Sequence, residues 1–190
     1  MKELYISVDI EADGPIPGPH SMLSLGAAAF LETGEMVDTF SVNFKTLPDA
    51  SGDPGTMKWW GTQQEAWAAH RIDPKSPEEA TGLFHCWIEH VSTNYKPVFV
   101  GTPAGFDFTF VYWYLMKFCK HSPFSFSAID TKTYAMATLG TNYRQSTKKN
   151  YPRHWFEGQP KHNHVALTDA IGQGMLFIKM LQENKKGRNR

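Results

Sequence analysis

Leu4, Ile6, Val8 and Ile10 alternate with Tyr5, Ser7, Asp9 and Glu11 near the start of the chain. A period of two over eight residues predicts a strand, because successive side chains of an extended backbone point to opposite faces. One face is apolar and the other ends in two carboxylates. After the turn-rich stretch Asp13 to His20, the segments Met22–Phe30 and Val37–Phe44 read as further strands, and Glu32-Thr33-Gly34-Glu35 between them reads as a hairpin turn. Three antiparallel strands are expected to open the domain.

The pattern then changes. A loop rich in Pro, Gly and Asp, Leu47 to Thr56, leads to a short helix around Gln63 to Ala69. Ser76-Pro77-Glu78-Glu79 supplies an N-cap, a first-turn proline and a capping-box glutamate. The helix it starts carries one apolar stripe of Ala80, Leu83, Phe84, Trp87, Ile88 and Val91. Pro97–Gly101 reads as a strand and Phe106–Phe118 as a helix with Phe110, Val111, Tyr114, Leu115 and Phe118 inward. Phe126–Asp130 is a last strand, Tyr134–Leu139 a short helix, and Gly140–Asn163 a polar connection. A final helix, about Val165 to Leu181, turns Ala166, Ala170, Ile171, Phe177, Ile178 and Leu181 to the core. Strands that return after helical crossovers generally lie parallel, so the fold class is α/β, with a mixed five-stranded sheet flanked by helices.

Length and composition bound the rest. At 190 residues, 41% hydrophobic and 20% charged, the chain fits one globular domain, residues 1–182, followed by a basic, disordered tail at 183–190. Nineteen bases cancel nineteen acids, so any site for a polyanion is local. Residues 1–60 hold nine acids and three bases, and residues 61–190 ten acids and sixteen bases. Cys86 and Cys119 are far apart, and the first residues lack a secretory leader, which together predict a reduced, cytoplasmic protein. No apolar run approaches the roughly 18 residues of a membrane span.

Four acids stand out. Asp9 and Glu11, two apart on one strand, project from the same face and can share a metal, although exposed acids at a strand end would look the same. Asp107 falls at the start of a helix just after a strand, where open sheets present ligands and where an acid also meets the helix dipole. Asp169 sits among Ala166, Leu167, Ala170 and Ile171, and an acid on the flank of such a stripe calls for a partner or a metal. His164 lies in the preceding loop or first turn, from which it can lean over the same site. His162 and His164 form a His-x-His, but no cysteine or third histidine lies near enough in sequence to complete zinc coordination, and four hard carboxylates suit magnesium or manganese better.

Together these residues resemble the DnaQ-like 3′-to-5′ exonucleases of the DEDDh branch, within the RNase H-like superfamily. Asp9-Ile10-Glu11 is similar to the family's first motif, and Ser24-Leu25-Gly26-Ala27 to its apolar-Gly-Ala strand. Phe106-Asp107-Phe108 is similar to its second motif and His164-Val165-Ala166-Leu167-Thr168-Asp169-Ala170 to its third. The resemblance covers most of the chain. It implies an RNase H-like three-layer fold and a metal-dependent exonuclease that hydrolyses single-stranded RNA or DNA, or short oligonucleotides, to nucleoside 5′-monophosphates. It further implies two Mg2+ or Mn2+ ions held by Asp9, Glu11, Asp107 and Asp169, with His164 as general base. A non-catalytic nucleic-acid-binding module of the same fold, or an endonuclease, are the alternatives. Dimers occur in similar small exonucleases, which leaves a homodimer open.

Two stretches depart from the family pattern. Ala12-Asp13-Gly14-Pro15 stands where many members have Thr and Gly against the terminal nucleotide, and Thr102-Pro103-Ala104-Gly105 precedes Asp107 in place of a polar Asn or His. By position, Ala12, Asp13, Gly14 and Phe106 are the candidates for substrate contact there. Residues 131–163 place Arg144, Lys148, Lys149 and Arg153 among Tyr143, Tyr151, Trp155 and Phe156. Bases beside aromatics suit a single strand through phosphate attraction and base stacking, and would equally suit a solvated loop whose rings seal the core. Trp59 and Trp60, which could stack on a base or line a dimer interface, read as core, since large aromatics are more often buried, His20 and His70 read as surface, and His85, His90, Cys86 and Cys119 as residues without a role.

Overall fold

In the computed structural model, which describes residues 2–188, a five-stranded sheet runs in the order β3-β2-β1-β4-β5. Its strands are β1 (Lys2–Ala12), β2 (Met22–Phe30), β3 (Met36–Asn43), β4 (Tyr95–Gly101) and β5 (Ala128–Asp130). β1 pairs antiparallel with β2 and parallel with β4, and β4 pairs parallel with β5. The mixed sheet expected from the element order is therefore present, and β1 is the central strand at which strand direction switches.

Helices cover both faces. On one, α3 (Pro77–Val91) and α4 (Ala104–Tyr114), which runs into a π-helical turn at Leu115–Cys119, pack on Leu4, Ile6, Val8, Ile10 and Ala12 through Phe84, Ile88, Phe110, Val111 and Tyr114. On the other, α6 (Ala166–Arg188) packs Phe177, Ile178 and Leu181 against Tyr5, Ala28, Phe30 and Val100. α5 (Thr131–Leu139) lies beside it. β2 is buried along its whole length, as befits a strand covered on both faces. Two glycines let α6 lie directly on the sheet. A Cβ on Gly26 would come within 2.1 Å of the Leu167 amide, and one on Gly174 within 2.2 Å of the Phe30 ring. No helix among the described residues is long and apolar enough to cross a membrane.

Several elements differ from expectation. α1 (Pro54–Trp60) starts inside the supposed loop and runs past its end, capped by Asp53, whose Oδ1 accepts from the Thr56 amide at 2.8 Å. α2 (Gln64–Ala69) follows it. The supposed tail is helical through Arg188, because tertiary bonds reward the extra turns. Glu183 accepts from Trp155 Nε1 at 2.7 Å, Asn184 donates to the Tyr134 hydroxyl at 2.8 Å, and Lys185 pairs with Glu32. Residues 189–190 of that tail lie outside the described residues. His70 is buried rather than at the surface, edge-on to Trp60. Leu83 and Phe126, assigned to an apolar stripe and a strand, are exposed.

Candidate active site

β1 continues past the end of β4. Their parallel register covers Lys2–Ser7 against Tyr95–Val100, so beyond Ser7 the edge of β1 that β4 had covered opens into a crevice at the carboxyl ends of the strands. Asp9 and Glu11 look into it from β1. Asp107, in the first turns of α4, reaches the same edge and its Oδ1 accepts from the Ile10 amide at 3.3 Å, taking the place of a strand partner. Its Oδ2 is buried and has no hydrogen-bond partner. From α6, Asp169 completes the set: Asp9, Glu11 and Asp169 each offer an oxygen within 4.8 Å of the others.

The electrostatics of this arrangement are unfavourable without a cation. Burial first, then the charges of Asp107, Glu11 and Asp169, push the Asp9 carboxyl well above the usual range, against the pull of Lys148. Burial together with Asp169 and Asp107 pushes Glu11 up to about 8. Burial raises Asp107 to about 7 in spite of the Ile10 amide. Carboxylates crowded this closely persist where something else is meant to share their charge.

The loop before α6 is folded around Asp169. Its carboxylate accepts from the amides of Asn163 at 3.3 Å and His164 at 3.0 Å, and His162 Nδ1 lies 2.8 Å away. The loop closes with His164 in the left-handed region at φ 57°, a conformation that costs a non-glycine residue about 1–2 kcal/mol. That turn brings the His164 ring beside the acids, with His162 at 4.3 Å between ring centroids. Burial and His162 lower the His164 pKa below its ordinary value, with Asp169 acting in the opposite sense.

Beneath the acids, one turn after Asp169, Gln173 is buried. Its amide donates to Ser7 Oγ and Val8 O at 3.0 Å and to Val100 O at 3.2 Å, bridging β1 and β4 where they part. Sequence reasoning passed over Gln173, although the argument that singled out Asp169, a polar residue on the apolar flank of the same helix, applies to it equally. Both tryptophans of Trp59-Trp60 read as core in the sequence. Trp60 is core, donating Nε1 to Ala12 O at 2.9 Å, but Trp59 is 40% exposed and stands edge-on to His164 at 5.0 Å.

The structure brings together Asp9, Glu11, Asp107, Asp169 and His164. Lys148, from the basic connection, lines the same cavity as Asp9, His162 and Asp169. Other candidates for substrate contact are placed differently. Ala12 is buried with its carbonyl taken by Trp60, and Asp13 is buried with Oδ1 accepting from the Ser21 amide at 2.6 Å. Gly14 is walled by the His20 ring, which a Cβ would meet at 2.2 Å. These three shape the loop beside the site and offer no side-chain group to a ligand. Phe106 packs on Phe110 at 5.1 Å in the helical layer. Arg144, Lys149 and Arg153 are exposed on the connection and do not line the cavity.

A family model described as a 3′-5′ exoribonuclease Rv2179c-like domain matches residues 5–181. The 3′-5′ DNA exonuclease Cap18 of Escherichia coli is 32% identical over 188 residues, covering 97% of this chain and 96% of Cap18. Among solved structures, the nuclease domain of 3′hExo, a DEDDh family member bound to rAMP, superposes with a TM-score of 0.68 at 13% identity over 95% of this chain and 92% of that domain. The Mg2+- and Mn2+-bound form of S. pombe Pop2p superposes with a TM-score of 0.64 at 14% identity, over 92% of this chain and 81% of Pop2p. At such identities the last two speak for the fold alone.

Proposed function

Since the chain belongs to the Rv2179c-like 3′-5′ exoribonuclease domain family, and with it to the DnaQ-like exonucleases, we propose that Asp9, Glu11, Asp107, Asp169 and His164 are its catalytic set. The protein is a 3′-to-5′ exonuclease acting on nucleic acid. The observation that carries the site assignment is the convergence of Asp9, Glu11 and Asp169 within 4.8 Å, beside an Asp107 oxygen that is buried and unpartnered. Oxygen-only donors held against their own repulsion fit Mg2+ or Mn2+, and four carboxylates supply enough ligands for two ions. Bound divalent cations at such a site neutralise phosphate charge, acidify the attacking water and stabilise the leaving oxygen.

The chain's own residues do the rest. Held below its ordinary pKa, the His164 imidazole is neutral at pH 7 and free to take the proton of the attacking water. The Asp169 hydrogen bonds to the loop amides, and the Trp59 ring, fix where that imidazole stands. Gln173 keeps the split between β1 and β4 at constant width under the acids. Lys148, facing Asp9 across the cavity, is placed to meet a phosphate oxygen of the strand. Attack on the last phosphodiester breaks its bond to the penultimate 3′ oxygen and releases a nucleoside 5′-monophosphate.

A single strand fits the open crevice, with the exposed Trp59 beside it as a surface for a base. The test is degradation of matched RNA and DNA oligonucleotides, labelled at either end, with and without Mg2+. Stepwise release of mononucleotides from the 3′ end is expected. Internal fragments would indicate an endonuclease, and metal-independent binding without product would indicate a non-catalytic module.

A further inference from the structure

On the opposite face of the sheet from the acids, a second cluster of metal-binding side chains joins α3 to the end of the π-helical turn. His85 and Glu89 stand one turn apart on α3. Lys120 closes the turn in the left-handed region at φ 61° and reverses the chain, delivering His121 onto α3. His85 Nε2 lies 3.3 Å from His121 Nδ1 and 3.8 Å from Glu89 Oε1. One atom from each of the three residues lies within 4.8 Å of the others.

We propose that His85, Glu89 and His121 form a site for a zinc-class transition-metal ion, separate from the exonuclease centre. Two nitrogens bound to one tetrahedral ion at about 2.0–2.1 Å are about 3.3–3.4 Å apart, which is the separation His85 and His121 already have. The ring planes lie 73° apart, so the nitrogens face each other rather than the rings stacking. A hydrogen bond accounts for the group less completely. His85 Nε2 carries at most one proton, yet it faces both the His121 nitrogen and the Glu89 carboxylate, and it can donate to only one of them. A cation satisfies all three at once. Bringing the Glu89 oxygen in by a few tenths of an ångström is easy, because that side chain is 59% exposed.

The donor set also selects the ion. Two imidazoles and one carboxylate favour zinc, cobalt or nickel over magnesium, with a fourth position left to water. The four carboxylates of the acid crevice have the opposite preference. An ion here would clamp α3 to the chain leaving α4, two segments 36 residues apart whose link at this point is otherwise between exposed polar groups.

Zinc titrated calorimetrically into the full-length protein, in buffer already holding excess Mg2+, tests this. Wild type should bind one equivalent more than H85A or H121A, and E89Q should bind that equivalent more weakly. Cobalt should give a tetrahedral visible spectrum in wild type that both histidine variants lose. Cys86, Cys119 and the acid crevice are unchanged in these variants, so zinc bound there cancels in the comparison. Equal stoichiometry in all the proteins would overturn the proposal. So would loss of Mg2+-dependent exonuclease activity in zinc-free H121A, which should instead keep the wild-type rate within about twofold, because the cluster lies across the sheet from the acids.

Discussion

The two faces of β1 are made by one backbone and obey opposite rules. Leu4, Ile6, Val8 and Ile10 point into the α3–α4 layer, where they pack on apolar and aromatic side chains and burial is favourable. Ser7, Asp9 and Glu11 point toward α6, where burial and like charge both oppose the ionised groups. Stability is concentrated on the first face and chemistry on the second. A strand can serve both because its period of two keeps them from touching.

Substitutions along this strand should therefore separate activity from folding. The largest effect is expected for Asp9→Ala. Exonuclease activity should fall on the order of 10³-fold, the scale seen when an electrostatic element of a transition-state site is removed. Circular dichroism should show the fold intact, and the metal-free variant should melt no lower than wild type, since one member of a repulsive cluster is gone. Retained activity would remove Asp9 from the site. Ile6→Ala, three residues earlier on the other face, should do the reverse. Its fully buried side chain points into the α3–α4 layer from the strand paired on both edges, so its loss should cost about 2–5 kcal/mol in denaturant titrations. The folded fraction should keep its kcat/KM within about twofold. If Ile6→Ala damages turnover as much as stability, the two faces are coupled and the separation fails.

Gln173 is where the faces should couple weakly. Gln173→Leu fills similar volume but removes the amide shared by Ser7 Oγ and the Val8 and Val100 carbonyls, which should cost about 1–3 kcal/mol. Because the same bonds set the split under the acids, activity should fall by about tenfold as well, a cost of about 1.4 kcal/mol in the barrier. Measuring both quantities in one variant checks this, and a loss of stability with unaltered kcat would make Gln173 purely structural.

How much of this could be read from sequence depended on whether the signal was local. The alternation of β1, the acid at the start of α4 and the acid on the flank of α6 are local patterns, and each acid is where its pattern placed it. The N-cap of α3 was legible from Ser76-Pro77, whose Ser76 Oγ accepts from the Glu79 amide at 3.2 Å, although the Glu79 carboxylate pairs with Lys75 instead of closing a capping box. Asp53-Pro54 carries the same signature for α1, and there the surrounding glycines and prolines hid it. With α1 unseen, Trp59 had no reason to reach His164. The last turns of α6 depend on partners at Trp155, Tyr134 and Glu32, up to 153 residues away, which composition cannot reveal. His70 likewise reads as surface until Trp60 is known to cover it; burial lowers its pKa to about 4.

The remaining prediction concerns pH, and it tests the acidic face by a route that needs no turnover. Glu11 is raised to about 8 and Asp107 to about 7, both above the roughly 4 of an unfolded carboxyl. The folded state thus holds protons that the unfolded state has released between those values. Stability then falls as pH rises, because the slope follows the protons bound by the unfolded state minus those bound by the native one. In the presence of EDTA, the melting temperature should drop progressively from about pH 5 to about pH 8 and level off above, by this linkage. With Mg2+ the acids stay ionised around the cation and the curve should flatten. Ile6→Ala should shift the whole EDTA curve downward without altering its slope, whereas Asp9→Ala should make it shallower, since it deletes one of the raised groups. An EDTA curve that is flat in wild type would mean that water or rearranged side chains already relieve the repulsion, and the contrast between the two faces of β1 would then be one of polarity alone.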